Sequence, residues 1–270
     1  MRCLMTILSF LFVVLMANGC QQSSSMARFN RFFDPRPLRV GMTLDTPPLT
    51  YKKGNSAAGL EMKFAAGLAD FVERRLEVVA VSRENMAKAL LNKQVDILMT
   101  GLSVADARSQ NLMTTDPYLL SGQITLMHLD GYLLYGTGSR NLVTQDVRLG
   151  VVKDSKGDTL LKELATRGKI IHFVSPAKGA EALIAGHIDV FLADLPTVTY
   201  YAARYIDKGL TPGSTLLTKE PLAWAVHPKN DKLLAAANSY LTSLEQNGEL
   251  QKILEQEIPF YRNTAYSLKQ

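Results

Sequence analysis

The feature that most constrains this chain is an internal repeat. Ala89 to Ser103, ALLNKQVDILMTGLS, aligns without gaps on Ala182 to Pro196, ALIAGHIDVFLADLP. A second pair stands ahead of each copy: Leu38 to Asp45, LRVGMTLD, against Val147 to Asp154, VRLGVVKD. The runs are short, apolar and β-branched, as buried strands are, so two similar α/β halves are predicted. In open α/β sheets, ligands sit beyond the carboxyl ends of the strands. The repeat therefore sets Gly101 and Ser103 of one half and Asp194 of the other at equivalent strand ends. Five residues past Ser103 stands Arg108, whose fork of N–H donors fits a carboxylate at two points. With the halves face to face, a cation and an anion meet across a cleft, which suits a zwitterion.

A second candidate lies at Lys153 to Thr159, KDSKGDT. It ends one strand and opens a helix predicted over Thr159 to Thr166, where unpaired backbone N–H groups and the helix dipole favour an anion. Lys153 and Lys156 add positive charge there.

Five segments in this order and spacing, LRVGMTLDTPPLTY, GLSVADAR, TDPYLLSGQ, RLGVVKDSKGDTLL and IDVFLADLPTVTYY, resemble the bacterial extracellular solute-binding proteins of the polar amino-acid type. These are the receptors of ATP-driven uptake systems, and the resemblance runs from about residue 36 to 258. It implies an α/β, two-lobed periplasmic-binding-protein-like fold of type II. Each lobe is a sheet flanked by helices, and two strands near 124–128 and 218–222 form the hinge. Lobe 1 is expected to be discontinuous, 37–124 with 222–270, and lobe 2 to cover 125–221. The expected ligand contacts are Arg108, Ser103 and Gly101 for a carboxylate, and Asp194 for an ammonium. Ser155, Lys156 and Gly157 would hold further polar groups, and Arg83 a side chain. In that family an acidic residue and an aromatic commonly stand where this chain has Thr43 and Thr46. Asp45, between them, is the expected substitute, so Asp45 and Thr46 complete the set. Partners implied are an amino acid or related zwitterion and a membrane ABC permease, with the chain a monomer and no cofactor.

The N-terminus reads as a secretory signal over residues 1–19: a basic start, an apolar run, then small residues. Its end, LMANGC, resembles a bacterial lipobox, although Ala17 stands where Leu is usual. Cys20 then becomes the first mature residue and carries lipid, tethering the protein to the membrane at the periplasmic face of the envelope. The only other cysteine is Cys3, lost with the signal, which leaves no disulfide and no thiolate metal site. Residues 20–36 form a polar tether followed by an aromatic group, Phe29, Phe32 and Phe33, expected to pack back on the domain.

Other classes fit poorly. The formal charge is +5, but Lys and Arg are scattered, with no patch for nucleic acid. The four histidines lack metal-ligand spacing, and neither a Gly-x-Ser-x-Gly elbow nor a cysteine nucleophile is present, so no enzyme is expected. Two rivals stand beside the receptor reading. One is an envelope sensor or assembly lipoprotein, motivated by Thr43 and Thr46; the other is a dehydratase-like enzyme using strand-end carboxylates. Elsewhere, Leu60, Phe64, Leu68, Phe71, Val72 and Leu76 recur at helical spacing and predict a core face. Trp224 is expected in hinge-side core on a strand over 222–226. Helices are expected over 230–246 and 249–257, broken at Asn247-Gly248.

Overall fold

The computed structural model describes residues 36–262. The signal, Cys20 and Phe29, Phe32 and Phe33 lie outside the described residues. Two five-stranded sheets form the centres of two lobes. In the first, β1 (Leu38–Met42) runs parallel between β5 (Leu76–Ala80) and β6 (Ile97–Leu98). Antiparallel β15 (Ala225–Val226) follows β6, and β7 (Met113–Thr114) closes the edge. In the second, β10 (Arg148–Val152) runs parallel between β11 (Lys169–Phe173) and β12 (Val190–Asp194). Antiparallel β9 (Gln123–His128) and β13 (Leu210–Pro212) complete it. The orders β5-β1-β6-β15 and β11-β10-β12-β9 are the same pattern twice.

The repeat is visible down to its ion pairs. Arg39 donates its backbone N–H to Asp96 Oδ2 at 3.0 Å and its Nη2 to Oδ1 at 2.7 Å. Arg148 does the same to Asp189, with the backbone bond at 2.8 Å and Nε to Oδ2 at 3.1 Å. In both copies an arginine at the start of the first strand is held by the aspartate immediately ahead of the third. That bond fixes the register of the two parallel neighbours, and with it where each strand ends.

Helices cover the sheets. In lobe 1, α1 (Leu60–Phe71) buries Leu60, Phe64 and Leu68 completely, each worth roughly 1.5–3 kcal/mol of burial. Phe71 departs from the predicted core stripe: it is 47% exposed and packs at a tilt on Tyr240, at 5.6 Å between ring centres. The helix ends there, so its last apolar residue finds a rim rather than a sheet. A short α2 (Met86–Leu91) precedes β6, and α3 (Val104–Ser109) follows it. Two C-terminal helices, α9 (Asp231–Gln246) and α10 (Glu249–Glu257), pack on α1, separated by Gly248 at φ 76, a left-handed turn that suits glycine.

Lobe 2 carries two short helices in its 130–146 excursion, Tyr132–Tyr135 (α4) and Arg140–Thr144 (α5), with Leu142 buried under the sheet. Its main helices are α6 (Lys156–Glu163), α7 (Pro176–Ile184) and α8 (Leu195–Arg204). The first opens at Lys156, not Thr159, because Ser155 caps it by accepting from the Asp158 N–H at 3.2 Å.

Two segments cross between the lobes, β8 (Leu119–Ser121) and β14 (Glu220–Leu222), paired antiparallel. The first crossing therefore lies ahead of the expected 124–128, since β9 belongs to the second sheet from Gln123 onward. Gly122 marks the change: a Cβ there would stand 2.0 Å from the Thr218 carbonyl oxygen. The Gln123 N–H donates to Thr218 Oγ1 at 2.8 Å, tying the crossings together. The expected strand over 222–226 is split, with Ala223 and Trp224 between β14 and β15. Among the described residues no helix is long and apolar enough to cross a membrane.

Candidate functional site

At the carboxyl end of β6 the chain turns through Gly101 at φ 67, again left-handed, and Leu102 leads to Ser103. Ser103 caps α3: its Oγ accepts from the Asp106 N–H at 3.1 Å and donates to Asp106 Oδ2 at 2.6 Å. The pattern Ser-Val-Ala-Asp is a capping box with aspartate in the acidic place. Opposite, α6 of lobe 2 presents Lys156 from its first turn. Lys156 Nζ lies 2.6 Å from Asp106 Oδ2 and donates to Glu220 Oε2 at 2.9 Å and to Ser103 Oγ at 3.2 Å. One ammonium thus joins lobe 2 to a strand end of lobe 1 and to a crossing strand.

The electrostatics follow from that arrangement. Burial alone would depress the Lys156 pKa, but its hydrogen bonds to Asp106 and Glu220 outweigh burial and raise it. Burial likewise works against the Asp106 carboxylate. Hydrogen bonds from Lys156 and Ser103, with the charges of Lys156 and Arg83, hold its pKa below the ordinary value. Glu220 is itself positioned: its Oε1 accepts from Thr218 Oγ1 at 2.8 Å and from Gln123 Nε2 at 3.2 Å. Gly157 allows α6 to approach, since a Cβ there would come within 3.0 Å of Gln123 Oε1.

Beneath this cleft lies a buried carboxylate. Glu61, fully inaccessible, accepts from the Gly101 N–H at 2.9 Å, from Tyr118 OH at 2.6 Å and from Trp224 Nε1 at 2.9 Å. Burial pushes its pKa up to about 7, although all three donors oppose the rise. Phe64, Tyr118 and Trp224 stand with ring centres 5.4–5.7 Å apart around it. The strand end at Gly101 therefore rests on a packed aromatic wall. Trp224 is core, as expected, and not exposed to the cleft.

The predicted residues divide. Ser103 and Lys156 meet directly, with Gly101, Ser155 and Gly157 in the turns that place them. Arg83 is exposed and close enough to Asp106 to favour its charge. Arg108 occupies the last turn of α3, exposed, with no side-chain hydrogen bond or ion pair among the described residues. Asp194 caps α8, accepting from the Thr197 N–H at 2.9 Å, and no cation pairs with it among the described residues. Asp45 and Thr46 form β2 of a small antiparallel sheet with β3 (Thr50–Lys53) and β4 (Ser56–Ala58). Asp45 is exposed there, and Thr46 Oγ1 is engaged with Thr50 Oγ1 at 2.9 Å. Thr43 is buried, and its hydroxyl has no partner among the described residues.

Sequence reasoning missed Asp106, Glu220 and Glu61. The capping pattern from Ser103 pointed to Asp106, and the helical spacing 61, 65, 68 puts Glu61 on the buried face of α1. Glu220 carried no comparable signal. Among the described residues no group of three or more His, Cys, Asp or Glu could hold a metal.

Two α/β lobes of matching strand order, joined by a two-stranded crossing and meeting at strand ends, define a type II periplasmic binding protein. The fold agrees with the solved structure of an ancestral cationic amino acid solute-binding protein, AncCDT-1. That likeness has TM-score 0.76 and 26% identity, covering 82% of this chain and 95% of that one. The chain belongs to the bacterial extracellular solute-binding proteins, family 3, whose profile matches residues 38–259. It is 24% identical over 227 residues to the arginine-binding extracellular protein ArtP of Bacillus subtilis, covering 81% of this chain and 84% of that protein. It is also 29% identical over 112 residues to the cyclohexadienyl dehydratase of Pseudomonas aeruginosa, 41% of either chain, so its relatives include an enzyme.

Proposed function

We propose that this chain is a solute receptor, anchored by lipid at Cys20 on the periplasmic face of the envelope. It captures a zwitterion, an amino acid, between its lobes and delivers it to an ABC permease. In this reading lobe 1 is 37–124 with 222–270 and lobe 2 is 125–221, the two closing as rigid bodies about the paired crossings. The ligand carboxylate engages Arg108, Ser103 and the Gly101 turn, and its ammonium engages Asp194. Ser155, Lys156 and Gly157 close over it from lobe 2, with Arg83, Asp45 and Thr46 at the margins. The protein acts as a monomer and does no chemistry; closure is what the permease reads.

The observation that supports this reading most directly is the meeting of Lys156 with Ser103 and Asp106 from opposite lobes. It brings the two predicted binding loops to one point. The arginine-binding relative and the cationic amino acid receptor make arginine and lysine the first solutes to test. A thermal-shift screen against amino acids, dicarboxylates and polyamines tests it. Solute at about 100 times its Kd adds about 2.7 kcal/mol, or roughly 5–10 °C in Tm if the two lobes unfold as one unit.

A second reading, a sensor or assembly lipoprotein without transport, is favoured by the same lysine, which already pairs with Asp106 and Glu220 without a solute. A flat response to every solute supports it. Slow consumption of a solute that does bind supports the dehydratase-like alternative.

A further inference from the structure

We propose that the end of lobe 1 opposite the cleft binds the phosphate headgroup of an anionic membrane lipid. The inference rests on the reading of Cys20 as the anchor, because that reading says which surface is held near a bilayer. A cavity of about 1010 Å³ opens there, bordered by Pro37 and Arg39, Val95 and Asp96, and His227. These are the amino ends of β1 and β6 and the residue following antiparallel β15, whereas Ser103 and Asp106 lie past the carboxyl end of β6.

The wall of this cavity carries an excess of positive charge. Arg39 and Arg74 share a single carboxylate, Asp96, at 2.7 and 3.1 Å. Lys93, Lys229 and Lys232 line the same space, are exposed, and have no ion pair among the described residues. Among the described residues Glu73 is the one other carboxylate on the wall. Val72, Leu233 and the half-exposed ring of Phe71 give the cavity an apolar side. An anion joined to an apolar body matches both surfaces, which a free inorganic anion does not.

Chain length favours a lipid over a soluble anion. The path from Cys20 to Arg36, on the cavity's rim, is sixteen residues, reaching at most roughly 55 Å. Acyl chains on Cys20 would hold this rim within reach of lipid headgroups, whose negative surface attracts clustered lysines. Seated this way the cleft opens away from the bilayer, a pose for capturing solute before the protein turns to deliver it.

The test is flotation of the secreted chain, from residue 20 and carrying Cys20→Ser, with two kinds of vesicle. One is pure phosphatidylcholine; the other contains about 30% phosphatidylglycerol, enough for a strong negative surface potential. Binding only to the anionic vesicles is expected. The triple variant Lys93→Gln, Lys229→Gln, Lys232→Gln should lose at least about tenfold of it, at roughly a factor of several per lysine. A control removing equal charge, Lys52→Gln, Lys53→Gln, Lys88→Gln, should retain it, as should Lys93→Arg, Lys229→Arg, Lys232→Arg, which also checks that the site tolerates substitution. Since Cys20→Ser removes any acyl chain, flotation reads the basic face alone, while palmitate incorporation into the unsubstituted chain reads the anchor and the solute screen reads the cleft. Equal binding to both vesicles, equal loss in the control triple, or full competition by millimolar inorganic phosphate would overturn the proposal.

Discussion

Lys156 Nζ and Asp106 Oδ2 stand 2.6 Å apart, from different lobes and 50 positions apart in sequence. Both side chains are about two-fifths exposed or more, so the pair is a screened contact, worth about 0–1 kcal/mol. Its importance is positional: it bridges the two lobes, and with Glu220 it supplies a closing force that needs no ligand.

Replacing Lys156 by Met should therefore favour the open form of the solute-free protein by up to about tenfold, for a loss near 1.4 kcal/mol over both contacts. Small-angle scattering should report a larger radius of gyration than wild type, with Tm nearly unchanged. An identical scattering profile would mean that the lobes are held by something else.

Arg108→Ala and Asp194→Ala should each weaken amino-acid binding by more than about 30-fold. Truncating one partner of a desolvated charge pair costs roughly 2–5 kcal/mol, at about 1.4 kcal/mol per decade. Calorimetric titration of each variant checks this, and unchanged affinity in both removes them from the site.

Glu61 predicts a pH dependence whose sign is set by its raised pKa. Between the ordinary 4.5 and about 7 the folded protein keeps a proton that the unfolded chain has released. Stability should therefore fall as pH rises through that window and level off above it, by roughly 3 kcal/mol at 1.36 kcal/mol per unit. Urea denaturation at pH 5 and pH 8 measures the fall, and Glu61→Gln should abolish its share. Equal pH slopes in the two proteins would contradict the assignment.

Gly122→Ala should destabilise the protein by about 1–3 kcal/mol, because a methyl group 2.0 Å from the Thr218 carbonyl pries the crossing segments apart. The urea midpoint should drop, and solute affinity should drop with it if closure pivots there. A stable variant with normal affinity would place the pivot elsewhere.

Most of the fold was legible because its signals are local. The repeat pairs Arg39 with Asp96 and Arg148 with Asp189 in equivalent positions, and the same residue types recur at the same steps of the pattern. Helix starts were less legible: Ser155 moved one by three residues through a cap that periodicity does not encode. The candidate site was half legible. Ser103 and Lys156 stand out in the sequence at a strand end and a helix start, while Glu220, which receives Lys156, carries no local signal.

The sequence alone determined the two-lobed architecture, the strand ends at Gly101 and Asp194, and the core face of α1, since strand and helix periods and backbone turns act over a few residues. Only the tertiary structure decided that Lys156 joins Asp106 and Glu220, that Glu61 accepts hydrogen bonds from three separate segments, and that lysines 93, 229 and 232 share one cavity. Charges far apart along the chain have no pattern to mark them as partners; packing brings them together, and burial then sets how strongly they act.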